Sequence, residues 1–144
     1  MIDGVVITPL QVFEDQLGAV KKMITADSPS FAGFGEIYFS SIQPGKIKAW
    51  RKHKHMVSNL AVPAGNVRVV LFDAETRKTQ EVILGDQNYA LLTIPSAVWS
   101  GFQGLGHRVS LIVNCASMAH DPNESERRNA DDPLFPYSWP DLDS

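Results

Sequence analysis

Between Lys46 and His55 the chain sets four lysines, one arginine and two histidines around a single tryptophan, Trp50. Imidazole is the side chain whose ordinary proton affinity suits proton transfer near neutral pH. Guanidinium stays protonated and holds carboxylate or phosphate oxygens as a fixed cation. The stretch therefore combines a candidate base with candidate anion ligands. With the two-residue period of a strand, Ile47, Ala49, Arg51, His53 and His55 share one face, and Lys46, Lys48, Trp50, Lys52 and Lys54 share the other. The first face starts apolar and ends in Arg-His-His, as a barrel floor does whose ligand end lies at residues 51–55. Trp50 and the following Leu60-Ala61-Val62 speak against a wholly exposed strand. His55 and His107 read as surface residues.

Such a face needs a sheet around it. Runs rich in Val, Ile, Tyr and Phe supply one at residues 5–7, 35–42, 47–55, 60–62, 67–72, 80–84, 90–94 and 110–113. Turn signals separate them, among them Gln43-Pro44-Gly45, Pro63-Ala64-Gly65-Asn66, Gly85-Asp86-Gln87-Asn88 and residues 101–106. Residues 66–72 begin as an alternating strand and then turn apolar throughout, as a sandwich interior does. No segment keeps a helical period over three turns, and residues 10–24 are expected to hold one short helical turn at most. The pattern predicts an all-β antiparallel sandwich or small barrel of the jelly-roll kind. Beyond residue 121 the chain changes character. Residues 121–128 are polar and residues 131–139 are rich in Pro and aromatics, which predicts an irregular tail that covers the barrel or meets a second copy.

Composition bounds the rest. The 144 residues suit a single domain spanning 1–144. With 44% hydrophobic and 20% charged residues, the chain is neither disordered nor a coiled coil. A net charge of −3 argues against nucleic acid as a partner. No apolar run approaches the ~18 residues of a membrane span, so no membrane partner is expected. Met1-Ile2-Asp3-Gly4 lacks a basic leader, and Cys115 is the sole cysteine. Cytoplasmic residence is the expectation.

The spacing Gly45, five residues, Arg51-Lys52-His53, with Gly65 closing the hairpin, resembles the first hairpin motif of the cupins, which are small β-barrels. Pro95-Ser96-Ala97-Val98-Trp99-Ser100 resembles the second. Ser58 and Ser100 stand where cupins carry a Glu and a His metal ligand, and one His beside an Arg is a poor metal site. Neither a metal nor another cofactor is expected.

Five further motifs occur in order along nearly the whole chain: Ile2-Asp3-Gly4-Val5, Asp15-Gln16-Leu17-Gly18, Gly45-Lys46-Ile47-Lys48-Ala49-Trp50, residues 94–102 and residues 131–139. Together they resemble the dTDP-4-dehydrorhamnose 3,5-epimerase family. That resemblance implies a metal-free cupin (a jelly-roll barrel, or double-stranded β-helix) acting on 4-keto-6-deoxy sugar nucleotides as a homodimer, its first strands open to exchange between subunits. It also implies proton abstraction beside the C4 ketone by a His paired with an Asp, with a Lys and a Tyr completing the site. Here the family's His position falls on Arg51, its Lys on Ser58 and its Tyr on His120, while its Asp is kept as Asp132. Of the family's phosphate-binding arginines, one is Leu17 and another is Lys48.

An arginine is no base at neutral pH. The base is therefore expected at His53, oriented by Asp132, with His120 as acid. Arg51, Lys48, Glu36 and Trp99 are expected to bind substrate, Trp99 by narrowing the mouth. His53-Lys54 also resembles the His-x-His-Lys of sugar 3,4-ketoisomerases. Three readings follow: an epimerase or isomerase of a dTDP-linked keto sugar, a 3,4-ketoisomerase, and a non-catalytic cupin that binds a sugar nucleotide.

Overall fold

A computed structural model describes residues 1–142, so the last two residues of the expected tail, 143 and 144, lie outside the described residues. The strands are β1 Val6–Pro9, β2 Val12–Asp15, β3 Gly18–Lys21, β4 Glu36–Ile42, β5 Ile47–His53, β6 Ser58–Ala64, β7 Asn66–Asp73, β8 Lys78–Gly85, β9 Ala90–Ile94, β10 Trp99–Leu105, β11 Ser110–Ala116 and β12 Ser125–Arg127. None of the described residues is helical. Two five-stranded antiparallel sheets, β1-β9-β6-β11-β4 and β12-β5-β10-β7-β8, face each other, and β2-β3 forms a separate hairpin. This is the expected jelly-roll barrel.

The β7 strand shows why its sequence reads apolar throughout. Val67, Val69 and Leu71 point between the sheets, where they pack with Leu60, Leu92 and Ile112. Val70 and Phe72 point the other way, into a second cluster with Trp50, Trp99 and Phe135. Both faces of this sheet are covered, the inner by the opposite sheet and the outer by the tail. The Phe135 ring stacks on Trp50 with centroids 4.3 Å apart and meets Trp99 edge-on at 5.2 Å. Beside it, Trp139 lies over Gly101, where an added Cβ would stand 2.7 Å from the indole and 2.8 Å from Ala49. Only glycine leaves the tail that space.

Two expectations fail for identifiable reasons. Residues 101–105 form most of β10 rather than a turn, which begins only at Gly106, because Gly101 and Gly104 serve close approach: a Cβ on Gly104 would sit 2.3 Å from the Gln43 carbonyl oxygen. Residues 10–24 hold the β2-β3 hairpin instead of a helical turn. Asp15 Oδ1 accepts from the amides of Leu17 and Gly18, at 2.8 and 3.1 Å, and so closes the reversal.

A third difference shapes the site. Ser100 pairs with Arg51 but Gly101 pairs with Ala49, so Trp50 is an extra residue on β5 with no partner on β10. This bulge resets the alternation. Lys48 lies opposite Phe102 and turns to the inner face with Arg51 and His53, while Ala49 and Trp50 turn to the aromatic outer cluster. The expected face of Ile47, Ala49, Arg51 and His53 is therefore broken at Ala49.

If the tail is part of the folded core, Phe135→Ala removes its central ring and destabilises the protein by about 3–5 kcal/mol in denaturant unfolding. A near-neutral result would show that the tail is only draped over the sheet.

Candidate active site

The inner ends of β4, β5, β6, β10 and β11 enclose a cavity of about 680 Å³. Leu60, Ile94, Val98, Phe102 and Ile112 form its apolar part. Lys48 and Arg51 of β5 bring charge to it, as do Arg127 and Arg128 from the returning tail, while His53 and Asn129 add polar groups. A smaller cavity at the rim, about 200 Å³, is lined by Glu36, Tyr38, Arg51, His53, Met56 and His120.

Chemistry centres on His53. Its Nδ1 lies 2.6 Å from Glu124 Oε1. Glu124 is only 4% exposed, and its other oxygen accepts from the backbone amides of His55 at 2.8 Å and Met56 at 2.7 Å. Burial alone would raise the carboxyl's pKa. The Met56 amide, the His53 ring and the His55 amide together outweigh it and hold the group at about 2. An ionised carboxylate has no proton to give, so the hydrogen between them belongs to Nδ1. In the neutral ring that leaves the lone pair on Nε2, for which the described residues supply no hydrogen-bond partner. A residue facing the cavity with this tautomer is equipped as a base.

The turn that delivers Glu124 is local. Asp121 Oδ1 accepts from Asn123 N at 2.9 Å, and the Asp121 carbonyl accepts from Glu124 N at 3.1 Å. Directly after it, β12 pairs antiparallel with β5, setting Ser125 opposite His53 and Arg127 opposite Arg51.

A second polar group sits across the floor. Asn114 Nδ2 donates to Tyr38 Oη at 2.9 Å and approaches Ser58 Oγ at 3.4 Å, while Asn114 Oδ1 accepts from Asn59 N at 3.1 Å. Because Tyr38 accepts that bond, its own O–H is left to donate into the cavity.

The expected site residues divide cleanly. Arg51, His53, Lys48, Glu36 and His120 come together around the two cavities. Lys48 Nζ also donates to the Ser41 carbonyl at 2.7 Å, spanning from β5 to β4. Glu36 accepts the His120 amide at 2.9 Å, so one of its oxygens anchors the rim loop.

Asp132 is not at the site. It occupies a turn, where Oδ1 accepts from Leu134 N at 2.8 Å and Oδ2 faces Arg128 Nη1 at 3.4 Å, and Glu124 holds the histidine in its stead. Trp99 is not at the mouth either. On β10 the inner positions are Ser100 and Phe102, and Trp99 faces out, 1% exposed, beneath the Lys52 ammonium 5.0 Å from its ring centre. The cavity position expected for it belongs to Val98. Sequence reasoning missed Glu124, Tyr38, Asn114 and Arg127. Of these, Tyr38 carried a signal: Glu36, Tyr38 and Ser40 alternate along β4 with exposed Ile37 and Phe39. Among the described residues no three His, Cys, Asp or Glu side chains group as metal ligands.

No family model matches the chain. It is 30% identical over 148 residues to a probable low-salt glycan biosynthesis epimerase of Haloferax volcanii, an alignment covering 96% of this chain and 94% of that one. It superposes on the crystal structure of a dTDP sugar isomerase from Desulfovibrio desulfuricans G20 with a TM-score of 0.93 and 40% identity, covering 96% of this chain and 92% of the other. A dTDP-6-deoxy-D-glucose-3,5-epimerase from Legionella pneumophila Philadelphia 1 shares the fold, with a TM-score of 0.82 at 20% identity over 97% of this chain and 80% of that one.

The depressed pKa of Glu124 has a consequence for acid stability. The group lies at about 2 in the folded chain against an ordinary 4.5, so its stabilisation is complete above pH 4.5 and is lost as pH falls toward 2. Its full contribution is on the order of 3 kcal/mol. Unfolding free energies measured between pH 2 and 6 are expected to show this loss in the wild type and a flatter profile in Glu124→Gln.

Proposed function

This chain belongs to the dTDP-4-dehydrorhamnose 3,5-epimerase family of dTDP-sugar epimerases and isomerases, and we propose that it removes and returns a proton beside the keto carbon of a 4-keto-6-deoxy sugar nucleotide, with His53 as the base. The whole chain, residues 1–144, acts as one cupin domain in this reading. The observation that carries it is the His53–Glu124 pair, 2.6 Å apart, with the His53 side of it lining the cavity.

The mechanism follows from the geometry. His53 Nε2 takes the proton from the carbon next to the ketone, and Glu124 stabilises the imidazolium that forms while keeping the ring in its tautomer. Electrons from the broken C–H bond move to the ketone oxygen, and the resulting enolate is favoured by nearby fixed cations and O–H donors. Tyr38 is the proposed acid, because its free O–H points into the floor of the cavity. His120 stands at the rim on an exposed loop, so its part is secondary. Apolar Leu60, Ile94, Phe102 and Ile112 exclude water from the sugar.

A purely binding cupin has no use for a buried carboxylate spent on fixing an imidazole, which favours the enzymatic reading. The intact base serves an epimerase and a 3,4-ketoisomerase alike, and the product formed separates them.

The test is solvent-deuterium incorporation into a dTDP-4-keto-6-deoxyhexose. Exchange is expected in the wild type, with a drop of about 10²–10⁴-fold in His53→Ala. Glu124→Gln should lose on the order of 10²-fold or more, since it removes the charge that fixes the ring. Asp132→Asn should exchange like the wild type. Persistent exchange in His53→Ala would sink this assignment.

The same reading includes a cytoplasmic homodimer. No helix among the described residues is long and apolar enough to cross a membrane. On the outer face of β4, Ile37 is 50% and Phe39 67% exposed, and in the β2-β3 hairpin the paired Phe13 and Val20 are 57% and 63% exposed. An isolated two-stranded hairpin is marginal in water, so a second copy is the natural partner for these rings. Since β1 pairs with β9 of its own chain, the hairpin rather than β1 is the element free to reach across. Light scattering coupled to size exclusion should give a dimer for the wild type and a monomer for Phe39→Glu. A monomeric wild type would contradict the proposal.

A further inference from the structure

Arg51 and Arg127 lie directly opposite each other on neighbouring antiparallel strands, β5 and β12, and both line the larger cavity. Two backbone hydrogen bonds join the neighbouring pair, Trp50 and Arg128, so the Arg51–Arg127 pair is of the close, non-hydrogen-bonded kind, with side chains about 4.5–5.5 Å apart at Cβ. Like charges so placed destabilise a sheet. No carboxylate among the described residues lies within ion-pairing distance of either guanidinium, although Lys52, Arg68, Arg108 and Arg128 all have one. On the other side of Arg51, Ser100 is its partner on β10. Arg127, Arg51 and Ser100 thus form a row of donors across three adjacent strands, all facing one cavity.

We infer that this row binds the diphosphate of the sugar nucleotide, with Arg127 as the residue that the rest of the site does not supply. The inference rests on the sugar-nucleotide reading above and adds the phosphate ligands to it. Two guanidiniums side by side match the several oxygens of a diphosphate, and the bound anion removes their mutual repulsion. The role needs filling, because Leu17, where the resemblance places a phosphate-binding arginine, is uncharged and 95% exposed at a hairpin tip. Arg127 sits on an edge strand at the mouth, where it can reach the phosphates while His53, two residues beyond Arg51 on the same face, reaches the sugar.

The probes are dTDP, dTMP and inorganic pyrophosphate, each titrated calorimetrically into wild type and Arg127→Gln, with steady-state kinetics on the keto sugar alongside. The wild type is expected to bind dTDP more tightly than dTMP. Arg127→Gln should lose about 10–100-fold in dTDP affinity and most of the dTDP preference. Its KM should rise with kcat little changed, as for a contact made equally in ground and transition states. At low salt and without ligand, the variant should melt slightly above the wild type, because repulsion is relieved.

Unchanged dTDP affinity in Arg127→Gln, or a lower melting temperature than the wild type, would overturn the inference while leaving the sugar-nucleotide reading intact. Wild type that ignores dTDP but binds pyrophosphate through Arg127 would instead uphold the anion site and refute that reading. Binding of neither probe by the wild type would refute both.

Discussion

The structure depends on one buried carboxylate. Taking Glu124 out of water costs several kcal/mol unless donors replace the solvent, and three do so: the His53 ring and the amides of His55 and Met56. Those amides are available because β5 ends at His53 and the chain turns away there, leaving donors that a continuing ladder would have used. Glu124 can meet them only if the chain, having left the barrel after β11, comes back to the end of β5. The return creates β12, and the path beyond β12 is then pinned by Phe135 on Trp50 and by Trp139 over Gly101. Tail, edge strand and aromatic clamp are consequences of holding one acid against one base.

The bulge in β5 answers a geometric conflict. The strand must give its outer face a large aromatic for the tail and its inner face three cationic or basic side chains. Strict alternation cannot place Lys48, Arg51 and His53 together, since the first two are three residues apart. Inserting Trp50 as an extra residue solves both demands, turning the indole out and bringing Lys48 in. The opposing strand contributes Gly101 at the slip, where the outer surface must stay flat for Trp139.

Much of this was legible in the residues. The strand runs, the absence of helical period and the change of character at residue 121 carried the barrel and its tail, and the Arg-x-His pattern located the mouth. What escaped reading depended on distant contacts. Glu124 looks like one more charge in a polar stretch until the fold sets it beside His53, 71 residues away. Asp132 sits in a family motif, yet in this chain it forms a turn before Pro133, away from the cavity. Trp99 follows Val98 by one residue, and which of the two faces inward is decided by pairing with β5 and β7 rather than by residue type. Gly101 and Gly104 read as turn formers because a sequence shows their flexibility and not the neighbours that need their missing Cβ atoms.

Net charge is a poor guide to this protein's ligand, and the reason is in the pairing. A chain at −3 repels anions weakly at long range, but that field is screened within about 8–10 Å at ordinary ionic strength. Close to the surface, what matters is which charges lack a partner. Glu126 engages Lys52 and Arg128, Glu81 engages Arg68, and Asp86 engages Arg108 and Lys21, so most acidic groups near basic ones are already committed. Glu124, at the end of the basic strand, is turned inward and spent on His53 and two amides. Among the described residues, Arg51, Arg127 and Lys48 line the cavity without a carboxylate partner. The same burial that fixes the His53 ring thus keeps the carboxylate from quenching the arginines, so the proposed base and the proposed anion ligands sit side by side on two paired strands.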